Sequence, residues 1–332
     1  MQVAVQGGGA RLGGLLAAVD ALQTLQSQQQ VQVTRIAGTS AGAIVAALFA
    51  ANVNLADVRQ KLTEHRATLA RRVPPPTSVL PLLRLLMGKP MVDLLPLQAE
   101  FAALLQQRGV AMMKDLGVVP DTIPLFVVAS NLMTNSEVTY QPLREDESVA
   151  QAVFNSCALP FYFRGPTRDK VNPLIVDGGL CANLPIDDLL KGEAEYGPVL
   201  GITFKEQNGG SNPGSLLELA LATLSASIDS SVRRARARIG EKNILYVDSH
   251  VSTFEFERAL KETLSEAYQQ VREKATTRLT TILSELTKPA PLNVQIEAAE
   301  QPESPQTLQA HADLYAALHA DTRFGYDDVR LI

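Results

Sequence analysis

The spacing of apolar residues changes period repeatedly along the first fifty positions. Gln2-Val3-Ala4-Val5 predicts a short strand, and Leu15, Val19, Leu22 and Leu25 recur at helical spacing, predicting a helix over about 14–28. The β-branched stretch Val31-Gln32-Val33-Thr34-Arg35-Ile36-Ala37 predicts a second strand, and the alanine-rich run that follows predicts a helix over 41–51. Strand and helix in alternation point to a parallel sheet with crossover helices. A polar helical pattern covers 55–72 and stops at Pro74-Pro75-Pro76, and a second helix is expected around 97–108. Leu125–Ala129 reads as a buried strand with Glu137–Tyr140 as its hairpin partner, and Ser148–Ser156 as a short helix. Leu174-Ile175-Val176 is a strand running into Asp177-Gly178-Gly179; further strands are expected at 199–204 and 244–247, and long helices at about 215–239 and 255–287. No internal repeat is visible.

Beyond Lys288 the pattern changes. Residues 289–306 are rich in proline, glutamate and glutamine and read as a linker, and 307–320 form one more helix through Leu308, Tyr315 and Leu318. The expected organisation is one domain over 1–288 and a linker with a short acidic tail over 289–332. That tail carries much of the chain's net charge of −5 and offers a surface for a protein partner. An acidic balance argues against a nucleic-acid binder. Cys157 and Cys181 have no metal-ligand spacing and lie in apolar or small-residue stretches, so buried free thiols are expected, with no metal and no cofactor. A strand begins at residue 2 with no secretory leader pattern, and no apolar run reaches the ~18 residues that span a bilayer. The expected location is the cytoplasm, with peripheral membrane contact; export by a specialised system is compatible with the same sequence.

Two basic segments stand out. Arg66, Arg71, Arg72, Arg84 and Lys89 are interleaved with leucines and no acid, which suits a lid or a segment over 66–96 docking on an anionic lipid surface. The alternative is a leucine cap over the core. Arg233, Arg234, Arg236 and Arg238 precede Gly240, as cations do in the last turns of a helix.

The candidate chemistry begins at Gly38-Thr39-Ser40-Ala41-Gly42, a G-x-S-x-G run between a strand pattern and a helix pattern. A serine there stands on a sharp turn at a helix N-terminus, where free N–H groups favour a developing oxyanion. The alternative is a small-residue turn that only packs strand against helix. Gly7-Gly8-Gly9-Ala10-Arg11 follows the first strand and offers backbone N–H groups unobstructed by side chains, with a cation beside them. A nucleotide cradle would need G-x-G-x-x-G, but Leu12 stands where its last glycine belongs, and no Gly-Lys-Ser/Thr of a Walker loop follows. Asp177 leaves a strand at its C-terminal end, where α/β sheets place their sites, although an Asp-Gly turn alone would look the same.

Taken with Ser156-Cys157-Ala158-Leu159-Pro160, Leu180, Asn183 and Pro185, the order of these blocks resembles the patatin-like phospholipase family over about residues 1–205. The resemblance continues more loosely through Val251–Phe256. It implies an α/β fold of three α/β/α layers around a mainly parallel sheet, with the C-terminal helix as an appendage. It also implies a lipid acyl hydrolase with a Ser-Asp dyad: Ser40 as nucleophile, Asp177 as base, Gly7, Gly8 and Gly9 as the oxyanion loop with Ala41 N–H as an added donor, Arg11 holding the loop or contacting an anionic substrate, and Gly38 and Gly42 shaping the elbow. The substrate implied is a fatty-acid ester of a (phospho)lipid at a membrane surface. One departure is Leu12, where the family usually has glycine after the arginine. Two alternatives stand beside this reading: a Ser40-Asp177-His250 triad, whose chain order matches α/β-hydrolases, and a catalytically weak binder of lipid or protein that keeps the fold.

Overall fold

The computed structural model describes residues 1–64, 94–142, 146–160, 163, 174–205, 216–249, 251, 256–263 and 265–286. They belong to one compact unit, Met1–Leu286. The lid or docking segment expected over 66–96 lies almost wholly outside the described residues, and the linker, tail helix and acidic appendage of 289–332 lie wholly outside them.

A seven-stranded sheet runs in the order β4-β3-β2-β1-β6-β7, with β5 joined to β3 off that path. Its strands are β1 (Gln2–Val5), β2 (Arg35–Thr39), β3 (Leu125–Asn131), β4 (Ser136–Tyr140), β5 (Ile175–Asp177), β6 (Val199–Phe204) and β7 (Ile244–Val247). The strands β1, β2, β3, β6 and β7 pair in parallel, while β4 and β5 both run antiparallel to β3.

Alternation along these strands builds two cores. Val3, Val5, Ile36, Leu125, Val127, Ile202, Leu245 and Val247 face one side, against α1 (Leu12–Ser27), α2 (Ala41–Ala50) and α11 (Glu266–Leu286). Ala4, Ala37, Phe126, Val199 and Ile244 face the other, against α7 (Asp187–Leu190) and α9 (Leu216–Ile239). Helices on both faces of a mainly parallel sheet are the expected three-layer α/β/α arrangement. The other helices are α3 (Leu55–Glu64), α4 (Leu95–Gln106), α5 (Val149–Ser156), α6 (Gly179–Ala182), α8 (Glu193–Tyr196) and α10 (Phe256–Thr263). A half-buried ion pair ties α11 to α1: Arg272 Nε lies 2.9 Å from Asp20 Oδ2, which also accepts from the Tyr268 hydroxyl at 3.0 Å.

Three expectations need correction. The second strand starts at Arg35, not Val31, because Val33 and Thr34 spend their N–H groups on the Gln26 side chain and on Met1 O instead of a ladder. The helix expected over 255–287 is two helices, α10 and α11. Ser265 separates them: its hydroxyl donates to Glu262 O and accepts from Ala267 N, so the serine closes one helix and caps the next. Finally, Cys157 is a buried free thiol as expected, but Cys181 is only partly buried.

Candidate active site

The site is assembled at the C-terminal end of β2. The register pairs Thr39 with Val128 of β3, and there β2 leaves the sheet. Beyond that point the antiparallel β5 pairs with β3 instead, Asp177 standing beside Ala129. The chain ends of β2 and β5 therefore approach each other head-on along one strand, which brings Ser40 and Asp177 together across 137 residues of sequence.

Ser40 turns the chain from β2 into α2 with φ 53° and ψ −126°, a conformation that a residue with a Cβ rarely adopts. The glycines on either side make the turn possible. A Cβ on Gly38 would lie 2.5 Å from Gly42 O, and one on Gly42 would lie 2.4 Å from Val5 O. The elbow is thus pressed between its own helix and the end of β1. Ser40 N donates to Ser156 Oγ at 2.8 Å, and Ser40 O accepts from Ala43 N at 2.9 Å.

The Ser40 hydroxyl donates to Asp177 Oδ2 at 2.7 Å, and the other carboxylate oxygen accepts from Gly179 N at 2.7 Å. Asp177 is 5% exposed. Burial raises its pKa from 3.8 to about 6, against the opposing pull of the hydrogen bonds from Ser40 and Gly179. Cys157 lies beside the same pair. Its thiol is held well above the usual range by burial and then by the Asp177 carboxylate, with Ser40 acting in the opposite sense, so it is neutral.

The glycine loop passes on the other side of Ser40. Gly7 N donates to Asn183 O at 2.9 Å, and Asn183 Nδ2 donates to Gly7 O at 3.4 Å. A Cβ on Gly7 would stand 3.1 Å from Ser40 Cβ, so the loop backbone lies directly against the serine. Gly9 has φ 53° and opens a single 3-10 turn to Arg11. Among the described residues, the N–H groups of Gly8 and Ala41 donate to no protein acceptor. Arg11 does not reach into the Ser40–Asp177 contact. Its guanidinium stacks 4.0 Å over Phe204, and Nε donates to Gly8 O at 3.4 Å. Burial lowers its pKa to about 10, with Asp229 opposing, which leaves it a cation at neutral pH. Leu12, the departure from the family pattern, has ordinary helical dihedrals and donates to Gly9 O, so no glycine is required there.

A cleft lined by Arg11, Gly14, Asp248, Tyr268 and Lys274 includes neither Ser40 nor Asp177. No metal-binding cluster occurs among the described residues. The four histidines, His65, His250, His311 and His319, lie outside the described residues, and the alternative triad through His250 with them. Two residues given no role from the sequence, Ser156 and Asn183, bind the elbow and the glycine loop. Both stand in the quoted blocks, and their membership of those blocks is the signal the sequence carries; their burial shows only in the structure. No described helix is long and apolar enough to cross a membrane.

A family model described as patatin-like phospholipase matches residues 3–190. The chain is 27% identical over 263 residues to "Uncharacterized protein YqhO" of Bacillus subtilis (strain 168), which covers 73% of this chain and 84% of that protein. Among solved structures it is similar to VipD from Legionella pneumophila, with a TM-score of 0.46 and 16% identity over 86% of this chain and 67% of that one. It is also similar to the type III effector protein ExoU, known from Pseudomonas aeruginosa, with a TM-score of 0.41 and 16% identity, where it covers 86% of this chain and 52% of that one.

Proposed function

Because the chain belongs to the patatin-like phospholipase family, we propose that it hydrolyses fatty-acyl esters of phospholipids through a Ser40–Asp177 dyad and an acyl-enzyme. The observation that carries this reading is the 2.7 Å hydrogen bond from the Ser40 hydroxyl to a buried carboxylate. Asp177 takes the Ser40 proton as Oγ attacks the ester carbonyl, and the carbonyl π electrons move onto oxygen. The oxyanion is met by backbone N–H groups from the glycine loop and from Ala41, and preorganised donors of this kind contribute ~3 kcal/mol or more each. Collapse expels the lysolipid alkoxide, which takes the proton from Asp177. Water then repeats the sequence on the acyl-enzyme, with Asp177 again as base, and releases the fatty acid. A carboxyl whose pKa lies near 6 is ionised at neutral pH, yet basic enough to accept that proton. Arg11 acts by holding the loop rather than by touching the reacting atoms.

The test combines two measurements. A fluorophosphonate probe should label the wild type and not Ser40→Ala, and mass spectrometry should find fatty acid and lysophospholipid released from phosphatidylcholine vesicles by the wild type alone. Labelling that survives Ser40→Ala would sink the assignment.

A further inference from the structure

The ladder between β2 and β3 lacks a rung that its own spacing calls for. Ile36 N donates to Pro124 O at 3.1 Å, and the register pairs Ile36 with Leu125 and Thr39 with Val128. Donors recur every second residue along a parallel strand. Continuing that count, Ser40 N would donate to Val128 O. The rung is filled instead by a side chain from another element. Ser156, with no exposed surface at the end of α5, accepts from Ser40 N at 2.8 Å and donates to Val128 O at 2.5 Å.

We propose that Ser156 is a positioning residue for the Ser40–Asp177 pair, a hydroxyl wedge that lifts Ser40 off the sheet edge and holds it in its left-handed conformation. The inference rests on the hydrolase reading above and adds to it a residue that never touches substrate. A strained backbone persists only where its surroundings over-determine it, and the wedge supplies that constraint at the backbone nitrogen of the strained residue. The same turn also fixes the carboxylate. Ser156 O accepts from Gly178 N at 3.3 Å, and Ala158 O accepts from Asp177 N at 3.1 Å. One short segment thus sets both halves of the pair relative to β3. Without the hydroxyl, Ser40 N and Val128 O can satisfy each other directly by closing the rung. That relaxation draws Ser40 towards β3 and breaks the contact of Oγ with Asp177 Oδ2.

The experiment compares wild type, Ser156→Ala and Val149→Ala on a soluble p-nitrophenyl acyl ester. Val149 is a fully buried core residue of the same helix, remote from these hydrogen bonds, and controls for lost stability. Ser156→Ala is expected to lower kcat at least ~tenfold, as small misplacements of reacting groups do, with KM unchanged. Its acid limb should also move to higher pH, because Asp177 loses the Ser40 hydrogen bond that holds its pKa down. Val149→Ala is expected to lower the melting temperature while keeping kcat and the acid limb of the wild type. If Ser156→Ala does not fold, Ser156→Cys keeps the size, weakens the acceptor, and carries the same expectation. An active wild type matched in kcat and acid limb by the Ser156 variant overturns this inference alone. A wild type inert towards both ester and fluorophosphonate overturns the hydrolase reading and this inference with it.

Discussion

Replacing Asp177 by asparagine should make the protein more stable at neutral pH while removing its activity. The carboxyl is buried, and its pKa rises from 3.8 to about 6 on folding. Between those two values the folded chain holds a proton that the unfolded chain releases, so stability falls as pH rises through that window and is level above it. With ~1.4 kcal/mol for each tenfold displacement of a protonation equilibrium, keeping Asp177 ionised costs the fold about 3 kcal/mol at pH 7.5. The carboxamide avoids that cost. Its oxygen can still accept from Gly179 N, and its nitrogen can face the Ser40 hydroxyl, at some loss relative to a charge-assisted bond. A net gain of about 1–3 kcal/mol is expected at pH 7.5, shrinking towards zero as the pH approaches 4. Urea unfolding of wild type and D177N at pH 7.5, 5.5 and 4.5 measures the difference directly. An asparagine variant no more stable than wild type at pH 7.5, with a gap that does not change with pH, would refute the reasoning. Alongside the gain, kcat/KM should fall by about 10²–10⁴, the range for loss of a general base.

Other outcomes follow from the same geometry. The kcat/KM of the wild type should fall about tenfold per pH unit below an acid limb near 6, since the base must be ionised; a profile level from pH 5 to 8 would count against Asp177 as the base. Gly42→Ala forces a Cβ to 2.4 Å from Val5 O and should cost at least about 2 kcal/mol of stability, with loss of fluorophosphonate labelling. Tyr268→Phe removes the 3.0 Å hydrogen bond to Asp20 Oδ2, leaves Arg272 in place, and should cost about 1–2 kcal/mol in urea unfolding without changing kcat/KM.

Much of the architecture is legible in the apolar spacing. The runs at 2–5, 199–204 and 244–247 are short and apolar and become the buried strands of a parallel sheet. Burial on both faces leaves little else for them to be. What the spacing lacks is direction and partner. Leu174-Ile175-Val176 reads as a strand, but nothing in it says that it runs antiparallel to β3 or takes the edge that β2 vacates. Local hydrogen bonds are equally silent: Thr34 and Ser265 look like continuations of their elements, yet Thr34 stands just ahead of β2 and Ser265 between two helices. At the site, the glycines around Ser40 carry their meaning in sequence because each stands where a Cβ would strike backbone. Ser156 does not. A serine at the end of a helix is common, and its insertion between two strands depends on tertiary register.

The end-to-end meeting of β2 and β5 has a consequence for how such a protein can diversify. The distance between the Ser40 hydroxyl and the Asp177 carboxylate is inherited from stacked peptide groups along β3, not from the length of any connecting loop. On the proposed hydrolase reading, surface connections can therefore lengthen, shorten or change their chemistry to suit new acyl chains or headgroups, while the Ser40–Asp177 spacing keeps its dimensions.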